Sequence, residues 1–267
     1  MNPQISAWQR VQNARKTDRP KALDLIPFLF DAFFELSGDR AYGDDKAILA
    51  GLAFFEGIPV TVLAQSKGRN LEENMACHFG MAHPEGYRKA MRLAKQAEKF
   101  KRPIICIVDT AGAFPGKGAE ERGQAEAIAS SLKLFSRIKT PVISFILSEG
   151  GSGGALALSV ADRLYMLENA IYSILSPEGF ASILWKDDSR AQEAAELMEC
   201  TSHDLFSKGI IDKILPEPLE GFENNKAELI RLMKNEIRND LTTLGKLKMS
   251  TLLDQRYKKY RDIGIKI

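Results

Sequence analysis

The sequence predicts an α/β fold built on a largely parallel sheet, and three observations carry that expectation. Short apolar runs bounded by Gly and Pro alternate with segments of helical periodicity through most of the chain. Twice, a wholly apolar run passes straight into a glycine-rich turn and then a helix: Pro103 to Val108 before Asp109 to Gly116, and Pro141 to Leu147 before Ser148 to Gly154. Two further apolar runs, Ala47 to Phe55 and Ile58 to Gln65, are separated only by Glu56-Gly57 and read as a β-hairpin.

In chain order, residues up to about Leu36 place apolar residues at helical spacing and read as two helices, appended to cap or assemble the core. After the hairpin, Glu85 to Phe100 reads as a cationic helix, Pro103 to Val108 as a strand, and Glu120 to Arg137 as a helix. Pro141 to Leu147 is the next strand, with a helix opening at Ala155. Arg163 to Leu167 and Ala170 to Ile174 read as short strands. Ser176-Pro177-Glu178 reads as a helix start, with a capping Ser and a Pro at the first position. Cys200 to Asp204 reads as another start, capped by Ser202, and Ile210 to Leu215 as the last strand. From Phe222 the chain is charged helix ending in the basic stretch Arg256 to Arg261, read as a solvated or interface face rather than a polyanion site. The domains expected are a helical extension over 1–36, a core over 37–220 and a second helical extension over 221–267.

The two glycine turns hold the chemistry. The first N–H groups of a helix lack partners, the helix dipole adds partial positive charge there, and glycine lets a ligand approach the backbone. A dinucleotide fingerprint fails because Leu156 stands where a small residue is needed, and a phosphate loop fails because Gly118 replaces the required Ser or Thr after Lys117. Gly150-Gly151-Ser152-Gly153-Gly154 also fits G-x-S-x-G, so a serine hydrolase using Ser152 and His203 stays open. The remaining chemistry is an oxyanion hole of backbone amides, with Gly150 and Gly151 facing Gly112 and Ala113 across two adjacent parallel strands.

Ser152, Gly153, Gly154 and Phe114 are candidate substrate contacts, and Lys67 and Arg69 form a basic pair suited to a carboxylate or phosphate. Tyr87, Arg88 and Lys89 share a helix and need be no more than packing and surface. Glu120, Glu121, Glu149 and Glu178 are general bases only if burial raises their pKa, and Glu149 and Glu178 equally suit capping or bracing the loops.

Composition narrows the partners. A chain of 267 residues with 45% hydrophobic content buries a sizeable core, and 37 basic against 35 acidic residues leave no global field for nucleic acid or a membrane surface. Cys77, Cys106 and Cys200 form no C-x-x-C pair, so neither a disulfide framework nor a metal site is expected, and a reducing cytoplasm is. No signal peptide or membrane-spanning run is expected.

Several unusual segments in one order carry a resemblance. Pro84-Glu85-Gly86-Tyr87-Arg88-Lys89-Ala90, Asp109 to Gly116 followed by Gly118 to Gln124, Glu149 to Ala155, and Ser176-Pro177-Glu178-Gly179 with Ser182 to Lys186 resemble the alpha subunits of bacterial acetyl-CoA carboxylase carboxyltransferases, over nearly the whole chain. That resemblance implies a crotonase-like ββα spiral and transfer of a carboxyl group from carboxybiotin to acetyl-CoA, yielding malonyl-CoA for fatty-acid biosynthesis. It implies biotin carried covalently on a separate carrier protein, a beta subunit bearing a zinc ribbon in an α2β2 assembly, and a separate biotin carboxylase that uses ATP. Relatives often carry Pro and Tyr at the positions of Ala111 and Phe114, so the resemblance carries no phenol role to this chain and leaves a backbone role intact. A CoA-ester binding module that has lost its chemistry is the third reading.

Overall fold

The computed structural model describes residues 5–217 and 226–265. The predicted hairpin forms as β2 (Ile48–Phe55) and β3 (Ile58–Gln65), paired antiparallel end to end. Glu56 and Gly57 both adopt positive φ, 49° and 81°, as a two-residue turn matching the twist of its strands requires. From β3 the sheet continues in parallel through β4 (Ile104–Thr110), β5 (Val142–Gly151), β6 (Arg163–Leu167) and β8 (Lys213–Leu215). The short β7 (Ile171–Ser173) pairs with the far end of β5. β4 is buried on both faces, which is why its sequence is apolar throughout rather than alternating.

The first two helices are α1 (Ala7–Ala14), closed by a Ser6–Gln9 capping box, and α2 (Ala22–Leu29). The helical reading up to Leu36 overshoots, because Asp31–Glu35 is a strand, β1, paired antiparallel with β2. Its aromatic pair Phe33-Phe34 suits a pleated, half-covered edge better than a helix end. The short helix α3 (Leu71–Ala76) precedes α4 (Pro84–Lys99), which carries Pro at its first position and lies against β2 and β3.

The single helix expected from Glu120 is two, α5 (Lys117–Glu121) and α6 (Gln124–Arg137), broken by Gly123 at φ 82°. α7 (Ser152–Ser159) begins three residues before the expected Ala155, because glycine's low propensity hides a helix start that packing imposes. α8 (Pro177–Trp185) is capped by Ser176 as predicted. α9 (Ala191–Met198) follows, and α10 (Ser202–Ser207) is capped by Thr201, not Ser202. Ser202 instead donates its hydroxyl to the Glu168 carbonyl at 2.6 Å.

The C-terminal helices are α11 (Lys226–Leu244) and α12 (Met249–Arg261); the 220/221 boundary and Phe222 lie outside the described residues. α12 is not a solvated face along its whole length, since Arg256 is 1% exposed and the Tyr260 hydroxyl receives the Ala161 N–H at 2.7 Å.

Candidate active site

The two glycine turns meet at the C-terminal ends of β4 and β5, backbone against backbone. A methyl group at Gly151 would overlap the Ala111 carbonyl, and one at Gly154 would stand 2.6 Å from both the Ala113 nitrogen and the Gly112 carbonyl carbon. No side chain fits at either position, so the sequence must supply glycine there for the loops to touch. Gln65, fully buried on β3, donates to the Gly154 carbonyl at 2.7 Å and pins the first turn of α7 to the sheet.

The amide donors differ from those the sequence nominates. The Gly112 N–H donates to Thr110 Oγ1 at 3.1 Å while that hydroxyl donates to the Gly112 carbonyl at 2.7 Å, so the Gly112 amide is spent within its own turn. Gly150 and Gly151 continue β5, Gly150 opposite Thr110 on one side and both opposite Tyr172 and Ser173 on the other. The amides without an acceptor in the helix are those of its opening turn, Ser152, Gly153 and Gly154, which receive no side-chain cap. The Ala113 amide lies beside them.

Charged side chains brace this backbone. Lys67 Nζ sits 2.7 Å from Glu149 and 3.0 Å from Asp109, the acidic residues just ahead of the two turns. Burial alone would push the Lys67 pKa down, and the two carboxylates outweigh it and raise it, so the ammonium stays charged. Arg15, at the end of α1, joins Glu149 at 3.3 Å and grips Glu178 at 2.7 and 3.0 Å, tying α8 to the site. The hydrogen bond from Arg15 holds the Glu178 carboxyl down at about 2, which removes it as a general base.

Arg69 does not join this cluster: it turns outward to Asp24 at 2.7 Å and the Leu23 carbonyl at 3.2 Å. Glu120 and Glu121 are exposed on α5. A cavity of about 360 Å³, lined in part by Arg15, Lys67, Asp109, Ala111 and Glu149, opens onto the network. A smaller one of about 80 Å³ shares Ala111 and Glu149 and reaches Gly150, Gly151 and Ser176.

Phe114 stacks on His83 at 4.1 Å between centroids, with 20° between the planes, so its ring props the first turn from behind. Tyr87 and Lys89 are fully buried, and Lys89 pairs with Asp44 at 2.6 Å. Arg88 pairs with Asp39 at 2.7 Å, so the packing and ion-pair reading of this helix accounts for all three residues. Ser152 is exposed, and His203 is joined to Glu168 at 3.5 Å, with no hydrogen bond to Ser152 among the described residues, so no nucleophile and base pair forms. Lys67 carries the missed signal: its anchoring role rests on Asp109 and Glu149, 42 and 82 positions further on, and no local pattern reports such a contact.

Residues 1–264 match the family described as acetyl co-enzyme A carboxylase carboxyltransferase-like. The chain belongs to that family. It is 54% identical over 261 residues to the acetyl-coenzyme A carboxylase carboxyl transferase subunit alpha of Clostridium acetobutylicum, covering 98% of this chain and 95% of that one. It is 54% identical to part of a Natranaerobius thermophilus protein named for beta and alpha subunits together, covering 97% of this chain and 43% of that one. Among solved structures, transcarboxylase 12S superposes with a TM-score of 0.72 at 18% identity, over 93% of this chain and 47% of its own. The fold is thus the crotonase-like carboxyltransferase fold, and the activity is that of an acetyl-CoA carboxylase carboxyltransferase subunit rather than a serine hydrolase. No helix of the described residues is long and apolar enough to cross a membrane.

Proposed function

We propose that this chain forms the biotin-facing half of a composite carboxyltransferase site. It receives the carboxylated ureido ring of biotin from a separate carrier protein, and the carboxyl group passes to acetyl-CoA held mainly by a zinc-ribbon beta subunit, giving malonyl-CoA. The observation that carries the reading is the cluster of amides at Ala113, Ser152, Gly153 and Gly154, close in the chain to Ala111, Gly150 and Gly151, which line a cavity, with Lys67 held between the two carboxylates Asp109 and Glu149.

The residues fit the group. A flat ring with a carbonyl oxygen needs close access to backbone donors, and the glycine turn leaves no side chain in the way. When bound, the carboxylated ureido group would supply the carboxyl for transfer, and its nitrogen would be the base available to the acetyl methyl group. The chain's part is to hold the ureido oxygen in amides that need no reorganisation as charge develops, to keep Asp109 and Glu149 fixed through Lys67, and to shut out water. Loss of one such donor typically costs about 10² to 10³ in rate.

Partner contact is supported by exposed apolar side chains just after β7 and on α8. Ile174 is 77% exposed, and Ile183 and Leu184 stand out from α8. We place the assembly as α2β2 in the cytoplasm, served by a separate ATP-dependent biotin carboxylase. The test is carboxyl transfer between malonyl-CoA and a biotin analogue with this chain alone, the beta subunit alone, and both. Activity only in the mixture supports a composite site; a verified complex without activity overturns it and favours a binding module.

A further inference from the structure

Outside the amide cluster, Asp45, His78 and His83 converge behind the ring of Phe114, each offering a ligand atom within 4.8 Å of the others. We propose that these three side chains form a binding site for a borderline divalent cation such as Zn²⁺, which would brace the Phe114 turn. His78 Nδ1 lies 3.7 Å from Asp45 Oδ1 and His83 Nδ1 lies 3.9 Å from Asp45 Oδ2. Both separations are too long for hydrogen bonds. They are near the roughly 3.4 Å edge of a tetrahedron whose nitrogen and oxygen ligands stand about 2.0 to 2.1 Å from one ion.

Two features of the protein point the same way. His78 Nδ1 is buried with no hydrogen-bond partner among the described residues, a costly arrangement that a bound cation removes. The backbone at that ring is strained: His78 and Phe79 take φ of 50° and 55° in succession, and non-glycine residues adopt such angles only where their surroundings hold them.

The carboxylate is ready for the role. Asp45 is 3% exposed, and its oxygens accept one N–H each, from Ala47 at 2.9 Å and His83 at 2.6 Å, which fixes the group and leaves a lone pair on each oxygen. His78 is partly exposed and provides the way in. Two imidazoles and one carboxylate with a fourth position open suit Zn²⁺ or Co²⁺ and do not suit Mg²⁺ or Ca²⁺, which take oxygen ligands. The ion's effect would pass through the His83 ring to Phe114, and so to the turn carrying Ala113. The site does not depend on which reaction the amide cluster performs.

The test uses the tag-free full chain, stripped with a chelator and titrated with Co²⁺ followed by its visible absorption, then with Zn²⁺ by calorimetry. The expected result is one equivalent bound with the strong visible bands of a tetrahedral Co²⁺ site. His78→Ala and His83→Ala should each weaken binding by at least about tenfold. Cys77→Ser and His203→Ala should bind as the parent chain does. Absence of Co²⁺ binding, or equal affinity in the folded His78→Ala/His83→Ala double variant, overturns the proposal.

Discussion

The two ends of β5 hold charge in opposite ways. At its start, Arg256 reaches in from α12 and directs all five N–H groups of its guanidinium to fixed acceptors: Asp162 at 2.8 and 2.6 Å, and the Phe135, Ile138 and Thr140 carbonyls at 2.8 to 2.9 Å. Asp162 in turn accepts the Val142 N–H at 2.8 Å, so the strand, the loop before it and the C-terminal helix close on one buried ion pair. At its other end, Lys67, Asp109, Glu149, Arg15 and Glu178 form a chain of ion pairs facing a cavity, beside a helix start that no side chain caps among the described residues. A completed network locks a fold. An incomplete one, beside a helix start without a side-chain cap, leaves bonding that a ligand could complete.

That contrast breaks most sharply at Gly151. Gly151→Val forces a side chain into the Ala111 backbone and should lower carboxyl transfer by at least about 10³, as expected when oxyanion donors are displaced. Circular dichroism and gel filtration would establish that the variant folds; full activity in a folded variant would remove the amide cluster from the mechanism. Arg256→Ala should act in the opposite sense, costing about 3 to 5 kcal/mol of stability by stranding the buried Asp162, while kcat well below the melting temperature stays near parental. A denaturant midpoint unchanged from the parent would show that the pair does not hold the helix.

Lys67→Met sharpens the comparison, because it removes a cation whose partners are the carboxylates beside the two glycine turns rather than groups of the core. With Asp109 and Glu149 left facing each other, both turns should shift, and kcat should fall about 10²-fold with a smaller change in KM. Lys67→Arg should recover part of the loss. An equal fall in kcat/KM for every substrate through KM alone would mark Lys67 as a binding contact instead.

What the sequence revealed follows from this division. Glycine is a backbone statement, and both turns, their parallel strands and their adjacency are legible because only glycine tolerates the approach at Gly151 and Gly154. The individual donors are not legible. The choice between Gly112 and Ala113 hangs on a Thr110 hydroxyl, and that between Gly151 and Ser152 on where β5 stops. Pairings such as Arg256 with Asp162, 94 positions apart, leave no local trace, so the basic C-terminal stretch reads as surface while one of its members is buried in the core.

A weaker effect lies at Asp240, whose carboxyl is pushed up to about 6 by burial, against the hydrogen bond from Tyr165 at 2.6 Å and the pull of Arg163. Its folded pKa exceeds its unfolded one, so the protonated form favours the folded state. That stabilisation is fully present below about pH 4 and is lost as pH rises through about 6. Asp240→Asn should therefore gain melting temperature over the parent at pH 7.5 and lose that gain at pH 4.5; a pH-independent difference would deny the shift.

The smallest effect separates backbone from side chain at the site itself. Ser152 opens α7 at φ 52°, a left-handed conformation costing a non-glycine residue about 1 to 2 kcal/mol, and its exposed side chain makes no hydrogen bond among the described residues that would offset the strain. Ser152→Gly should relieve part of that strain and raise stability by roughly 1 kcal/mol at most, offset by glycine's greater freedom when unfolded. Ser152→Ala keeps both the strain and the amide, so carboxyl transfer should stay within about threefold of the parent if the amide alone acts. A loss of 10² or more, or labelling of Ser152 by a fluorophosphonate, would mean that the hydroxyl takes part, and the chemistry would move from the backbone to the side chain.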